Sequence, residues 1–146
     1  MISLRRHYLD EYFQQNSNLL KGDVLDVGGK KNNKRGNFRP NENLNMHYLN
    51  NDLKTNPDFI LDANDFHREI DKKFDYFFLA EILEHLDNPT GAIKSSYQIL
   101  KDDGIGFVSM PFMYRKHSDP KDMQRWTDTK LIKTFNDNGF EVSKII

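Results

Sequence analysis

Apolar strand-like runs alternating with crossover segments predict an α/β fold, a mostly parallel sheet with flanking helices. Three observations carry that expectation. Val24-Leu25-Asp26-Val27 reads as a short buried strand that ends in Gly28-Gly29. Phe74 to Leu79 is a continuous apolar run carrying one acid, Asp75, as expected for a strand buried on both faces. Five such runs alternate with connections rich in polar and turn-forming residues, the pattern of a parallel sheet with crossovers. In sheets of this kind ligands bind outside the carboxyl ends of the strands.

The elements follow in order. Residues 3–15 place Leu4, Tyr8, Leu9, Tyr12 and Phe13 near helical spacing, which predicts an amphipathic helix packed on the domain. Residues 1–20 are this helix and its lead-in, and strand one is expected over 23–27. Residues 30–45 are asparagine-rich, carry Gly36 and Pro40, and lack apolar periodicity. A long loop is expected there instead of a crossover helix, and loops of that length are usually functional or mobile. Strand two is expected over 46–50, leading into Asn51-Asp52-Leu53, and a short strand three over 59–61, ending at Asp62-Ala63. A helical turn is expected near 66–70, then strand four over 74–79 and a short helix over 80–86. Asn88 before Pro89 signals a helix start. Ala92, Ile93, Ser96, Tyr97 and Leu100 give that helix its apolar face, and Gly104 is its expected left-handed C-terminal residue. Strand five is expected over 105–110, a polar and aromatic loop over 112–126, a helix capped by Thr127 that covers Leu131, Ile132 and Phe135 and ends at Asn138-Gly139, and a sixth strand over 140–146.

The composition restricts the function classes. The 146 residues suit one domain, 1–146, and 37% hydrophobic residues with 11 Phe and 6 Tyr can fill a core. A net charge of −1 gives no general drive toward nucleic acid, and the absence of cysteine removes disulfides, thiolate metal sites and thiol nucleophiles. No apolar run approaches the ~20 residues of a membrane span. Residues 1–15 mix charges with apolar residues unlike a signal peptide, so a cytoplasmic protein is expected.

The strand ends gather Asp26-Val27-Gly28-Gly29, Asn51-Asp52, Asp62-Ala63, Ala80-Glu81 and Met110-Pro111-Phe112. Glycines there allow a positive φ and a close backbone approach, and a strand-end acid needs loop amides or a ligand as partner. A dinucleotide turn would need Gly-x-Gly-x-x-Gly opening a helix, and a phosphate loop would need Ser or Thr after Gly-Lys. Neither is present, since Gly29-Lys30 is followed by Lys31.

With those residues in place, the whole chain resembles the class I S-adenosylmethionine-dependent methyltransferases, in the subgroup of small bacterial sugar and surface-polysaccharide enzymes. Asp26-Val27-Gly28-Gly29-Lys30 stands where that family has Asp-x-Gly-x-Gly, and Tyr48-Leu49-Asn50-Asn51-Asp52 matches the second strand's end. Asp62-Ala63 matches the pair beside the adenine. Phe74-Asp75-Tyr76 through Glu81-Ile82-Leu83-Glu84-His85-Leu86-Asp87-Asn88-Pro89 is close to the fourth-strand signature, the most specific match. His117-Ser118-Asp119-Pro120-Lys121-Asp122 with Arg125-Trp126-Thr127 resembles the loop after strand five.

The resemblance implies a Rossmann-like, truncated class I methyltransferase fold with S-adenosylmethionine as cofactor. It implies cofactor contacts from Asp26, Gly28, Gly29, Asp52, Leu53, Asp62, Ala63, Ala80 and Glu81, with Asp52 taking the ribose hydroxyls, as a carboxylate accepts two vicinal hydroxyls well. His85 and His117 are the candidate catalytic bases for a small polar acceptor such as a sugar, with Asp119 a candidate orienter of His117. The plainer readings are a loop-holding His85 and a structural His117–Asp119 pair. The two histidines with a carboxylate would suit a metal by residue type, but their spacing carries no metal signature and none is expected. The Lys30–Arg35 run reads as a solvated loop or a handle for an anionic acceptor, and Tyr114 and Trp126 as packing or as a stacking surface.

Two departures from the family pattern stand out. Lys30 replaces the last motif glycine, and no seventh strand follows strand six. An open sheet edge would invite a second copy of the chain. The rival reading is a catalytically silent methyltransferase-like domain that binds the cofactor or a partner.

Overall fold

The computed structural model describes residues 3–31, 36–117 and 121–146. Four strands, β1 (Gly22–Val27), β2 (Leu44–Leu49), β3 (Phe74–Ala80) and β4 (Leu100–Ser109), form one sheet in the order β2-β1-β3-β4. Every pairing is parallel, with Val24 opposite both Met46 and Tyr76. The predicted Rossmann-like architecture is the one observed.

Strand periodicity sorts the core into two layers. Leu25, Val27, Phe77 and Leu79 point to one face, where α2 (Pro89–Ile99) and α3 (Asp128–Asp137) contribute Ala92, Ile93, Ile99 and Phe135. Val24 and Phe78 point to the other, where Phe78 stacks on Phe13 of α1 (Leu4–Ser17) at 5.3 Å and meets Phe38 and Phe107 edge-on. The helix caps are as predicted: Asn88 accepts from Gly91 N with Pro89 in the first turn, and Thr127 accepts from Lys130 N.

α1 buries Phe13 as predicted, but its buried face is rotated from the predicted one. Leu4 and Tyr8 are exposed, while Asp10, Phe13 and Ser17 are buried. The reason is Asp10, whose carboxylate accepts from Asn37 N at 2.6 Å and pairs with Arg6 Nε at 2.8 Å. Gly36 is at φ +64, and a Cβ there would stand 2.0 Å from Asp10 Oδ2. Arg39 N also bonds Gln14 Oε1. The chain over 36–43 is thus tied to α1, and these two segments cover the face that a crossover helix would otherwise cover.

Several predicted elements are corrected. Strand three over 59–61 reduces to one bridge, Leu49 with Phe59, because Asp58 N and Phe59 N both turn onto Tyr48 O and leave Ile60 exposed. Strand two starts at Leu44. The helix over 80–86 is a single 3-10 turn, Leu83–His85, since β3 runs through Ala80 and Glu81 then adopts φ +55. Glu81 and His85 therefore do not share a helix face. Gly104 does not cap α2, which ends at Ile99 with Leu100 already extended. Gly104 sits in a β4 bulge where a Cβ would be 2.9 Å from Asp75 O. Residues 140–146 form no strand; Phe140 and Val142 pack on the α3 face instead. β4 is accordingly the last strand in the sheet, and its outer side borders a groove of about 1380 Å³.

The amino ends of the strands are knitted by charge. Asp23 Oδ1 accepts from Lys72 Nζ at 2.8 Å and Asn45 Nδ2 at 2.7 Å, and Asp75 accepts from Asp23 N and Lys101 Nζ. The Lys72 ammonium is the main reason that the Asp23 carboxyl is held down at about 2. A carboxylate depressed in this way stabilises the fold fully above its unfolded value of about 4, and that contribution is lost as pH falls toward 2. Urea midpoints measured from pH 6 to pH 2 should fall over that window, and Asp23→Asn should flatten the fall while lowering stability at pH 6.

Candidate functional site

Because all four strands run the same way, their carboxyl ends open on one side. There β1 delivers Gly28 at φ +77 and Gly29, β2 leads to Asn50–Leu53, and β3 ends at Ala80 before Glu81. Glycine is required at 28 by its positive φ, and at 29 by packing, since a Cβ there would stand 2.4 Å from the Asp26 carboxylate and 2.8 Å from the Tyr48 ring. Asn50 holds the turn in place, its side-chain amide donating to Gly28 O at 3.2 Å and Gly29 O at 3.0 Å. That residue was missed by the sequence reading, although an asparagine just past a strand end is a fitting clamp for two orphan carbonyls.

The predicted residues fall as follows. Asp26 lies on the α1 face beside Tyr48, Ala80, Arg6 and Lys30, around a cavity of about 100 Å³. Burial, then the charges of Asp26 and Asp58, push the Tyr48 hydroxyl's pKa up. Asp52 and Leu53 are exposed, and Asp52 Oδ1 caps the following 3-10 turn at Lys54 N. Asp62 is exposed and accepts from both Asn64 N and Asn64 Nδ2 through Oδ1, an Asx turn, while Ala63 packs at the core's edge. Glu81, in the left-handed region that costs a non-glycine residue about 1–3 kcal/mol, ion-pairs with Arg5 and with Arg6. Strain of that kind collects at functional sites. Among the cluster Lys30–Arg35, Lys30 is exposed and Lys31 pairs with Asp58 at 2.5 Å; residues 32–35 lie outside the described residues.

A second group forms beside this turn. The segment after β4 is fastened to the 83–86 turn: Met123 N donates to Glu84 O, and Gln124 Nε2 donates to Leu83 O and Leu86 O. Trp126 is buried and donates to Gln124 Oε1, so it is packing and not an open stacking surface. Asp122 takes both arms of Arg125, with the Nη2–Oδ2 bond at 2.7 Å, and accepts from His117 N at 2.9 Å. The Arg125 guanidinium holds the Asp122 carboxyl far below the carboxylate range.

Those tethers bring His85 and His117 together, their rings 5.0 Å apart and set edge to face at 69°. His85 Nδ1 meets Lys121 O, so that nitrogen carries the proton and donates. His85 Nε2 then faces Glu84 Oε1 at 3.6 Å. Glu84 is 1% exposed, and burial pushes its pKa up. Tyr114 stands between His117, 5.6 Å away, and Arg5, whose guanidinium lies 4.4 Å over its ring. The predicted partner of His117, Asp119, lies outside the described residues; Asp122 is the acid that fixes its backbone.

The comparisons bear on this arrangement. The model of a family described as a methyltransferase domain matches residues 1–143. A SAM-dependent methyltransferase from Archaeoglobus fulgidus superposes with a TM-score of 0.68 at 17% identity, over 93% of this chain and 69% of that one. Coclaurine N-methyltransferase bound to N-methylheliamine and SAH gives 0.52 at 13%, over 70% and 35%. At those identities the likeness is one of fold. No curated protein matches by sequence. Among the described residues, no helix is long and apolar enough to cross a membrane.

Gln124→Ala removes two long-range bonds to buried-turn carbonyls and should cost about 1–3 kcal/mol in urea denaturation. The Met123 amide should lose its protection from hydrogen exchange in this variant, while the β1 and β3 amides keep theirs relative to global unfolding.

Proposed function

The chain belongs to the methyltransferase domain family, and from that premise we propose that it transfers the methyl group of S-adenosylmethionine to an oxygen of a small polar acceptor. A sugar or surface-polysaccharide precursor is the first candidate for the acceptor, and the cytoplasm is the proposed compartment. The observation that carries the reading is the family match, which runs through every strand-end residue named above.

The donor set suits the cofactor. Asp52 is an exposed carboxylate at the end of β2 that would accept two ribose hydroxyls. Leu53 is 68% exposed beside it, an apolar side chain available to the face of a purine, with Ala63 and the Asp62 carboxylate beyond. Asp26 would supply negative charge for the ammonium at the methionine end, with the Gly28-Gly29 backbone, Ala80 and the arginine-paired Glu81 alongside, and Lys30 would be a cation for the methionine carboxylate. The cavity beside Asp26 is below the roughly 300–1,000 Å³ of ligand pockets, so the open strand ends must take most of the cofactor. When bound, the cofactor supplies an electrophilic methyl group on sulfur. The chain's own work is to hold the acceptor in line with it and to exclude competing water. For that we assign His85 and His117 as the candidate bases that would stand beside the acceptor hydroxyl, His85 through its Nε2 edge because its Nδ1 is taken by the Lys121 carbonyl.

Calorimetry with S-adenosylmethionine and S-adenosylhomocysteine should show one site for each. Asp52→Asn, which retains an oxygen to cap Lys54, should weaken both by about ten- to a hundredfold, as the loss of charge-assisted hydrogen bonds does. Unchanged affinity in that variant would remove Asp52 from the site. No binding of either compound at millimolar concentration would overturn the enzyme reading in favour of a silent interaction domain.

A further inference from the structure

We propose that Glu84, His85 and His117 form a binding site for one divalent transition-metal ion, zinc by preference. Their ligand atoms all lie within 4.8 Å of one another. Two ligands bound at 2.0–2.2 Å to a tetrahedral ion are about 3.4 Å apart, and His85 Nε2 and Glu84 Oε1 are separated by 3.6 Å. A modest turn of the His117 ring completes a three-ligand set with one open position, the arrangement of two imidazoles and a carboxylate found in catalytic zinc sites.

The polar bookkeeping favours an ion. His85 Nδ1 donates to the Lys121 carbonyl, which leaves Nε2 as the ring atom that faces Glu84 Oε1. Glu84 Oε2 is buried and has no hydrogen-bond partner, and an orphaned carboxylate oxygen in a 1% exposed residue is costly. An imidazole whose other nitrogen donates to a backbone carbonyl is the usual outer-shell arrangement of a metal-bound histidine. The fastening of 121–124 to the 83–86 turn supplies that shell, and Asp122 absorbs the Arg125 charge that would otherwise oppose a cation. With imidazole nitrogen and carboxylate oxygen as ligands and no sulfur, the set suits Zn²⁺, with Co²⁺ as a spectroscopic substitute.

The ion's open position is where the acceptor hydroxyl would bind, and that part rests on the methyl-transfer reading. The bound hydroxyl releases its proton to solvent, its oxygen forms the bond to the methyl carbon, and the carbon–sulfur pair stays on sulfur as S-adenosylhomocysteine leaves.

The test is titration of chelator-treated protein with Zn²⁺ by calorimetry and with Co²⁺ by visible absorption. One equivalent should bind at micromolar or tighter Kd, with ligand-field bands of a low-coordinate Co²⁺ site. His117→Ala should weaken binding at least tenfold and Glu84→Gln should alter the Co²⁺ spectrum, whereas His7→Ala, on exposed α1 surface, should change neither. Absence of stoichiometric binding, or binding unchanged in His117→Ala, overturns the site. S-adenosylhomocysteine calorimetry on the same metal-free protein separates the two readings. Cofactor binding without metal binding removes only this inference, and metal binding without cofactor binding removes only the methyl-transfer role.

Discussion

Parallel pairing of β1 with both β2 and β3 is the constraint from which the rest of the molecule follows. It places every strand's amino end on one side and every carboxyl end on the other. The two ends then diverge in chemistry. At the amino ends, Asp23, Asp75, Lys72 and Lys101 bond one another and the backbone, so charge is spent on holding strands together. At the carboxyl ends, Asp52 and Asp62 cap short turns with their side chains exposed, and Glu81 is held in a conformation that only surrounding contacts make tenable. One side joins the strands through charge, and the other leaves its acids on short, exposed turns.

The missing crossover helix between β1 and β2 has a physical replacement. The Phe13–Phe38–Phe78–Phe107 cluster needs a cover, and α1 with the 36–43 segment provides it. A buried acid would ordinarily be a liability in such a layer. Asp10 is tolerated because Arg6 and the Asn37 amide meet its two oxygens, and because Gly36 has no side chain to obstruct them. The same arrangement carries Arg5 and Arg6 to Glu81, so the packing of α1 and the electrostatics of the strand ends are joined through one turn of helix.

Much of this was legible in the sequence because it is written locally. The buried runs of β1 and β3, the Asn88-Pro89 and Thr127 helix starts, and the helix-free loop after Gly29 each follow from a few adjacent residues. The sequence also led to the family, through Glu81 to Pro89 above all. What it concealed depends on distant partners. Phe59-Ile60-Leu61 looks like a strand, yet it meets β2 at a single bridge, and Tyr48 O takes the Phe59 amide together with that of Asp58. Gly104 looks like a helix cap, yet its role is set by the Asp75 carbonyl. Residues 140–146 have the composition of a strand but pack as separate anchors. His85 and His117 are 32 positions apart in the chain, and the bonds of Lys121, Met123 and Gln124 to the 83–86 turn bring them together with Glu84.

The central claim is that the carboxyl ends of the parallel strands are the cofactor site. Amide chemical shifts of isotope-labelled protein titrated with S-adenosylhomocysteine test it directly. The account predicts saturable shifts at Gly28, Gly29, Asp52, Leu53, Ala63 and Glu81, with Asp23, Asp75 and Lys101 at the opposite end unmoved. Shifts confined to the groove along the outer side of β4, or none at saturating ligand, would contradict it.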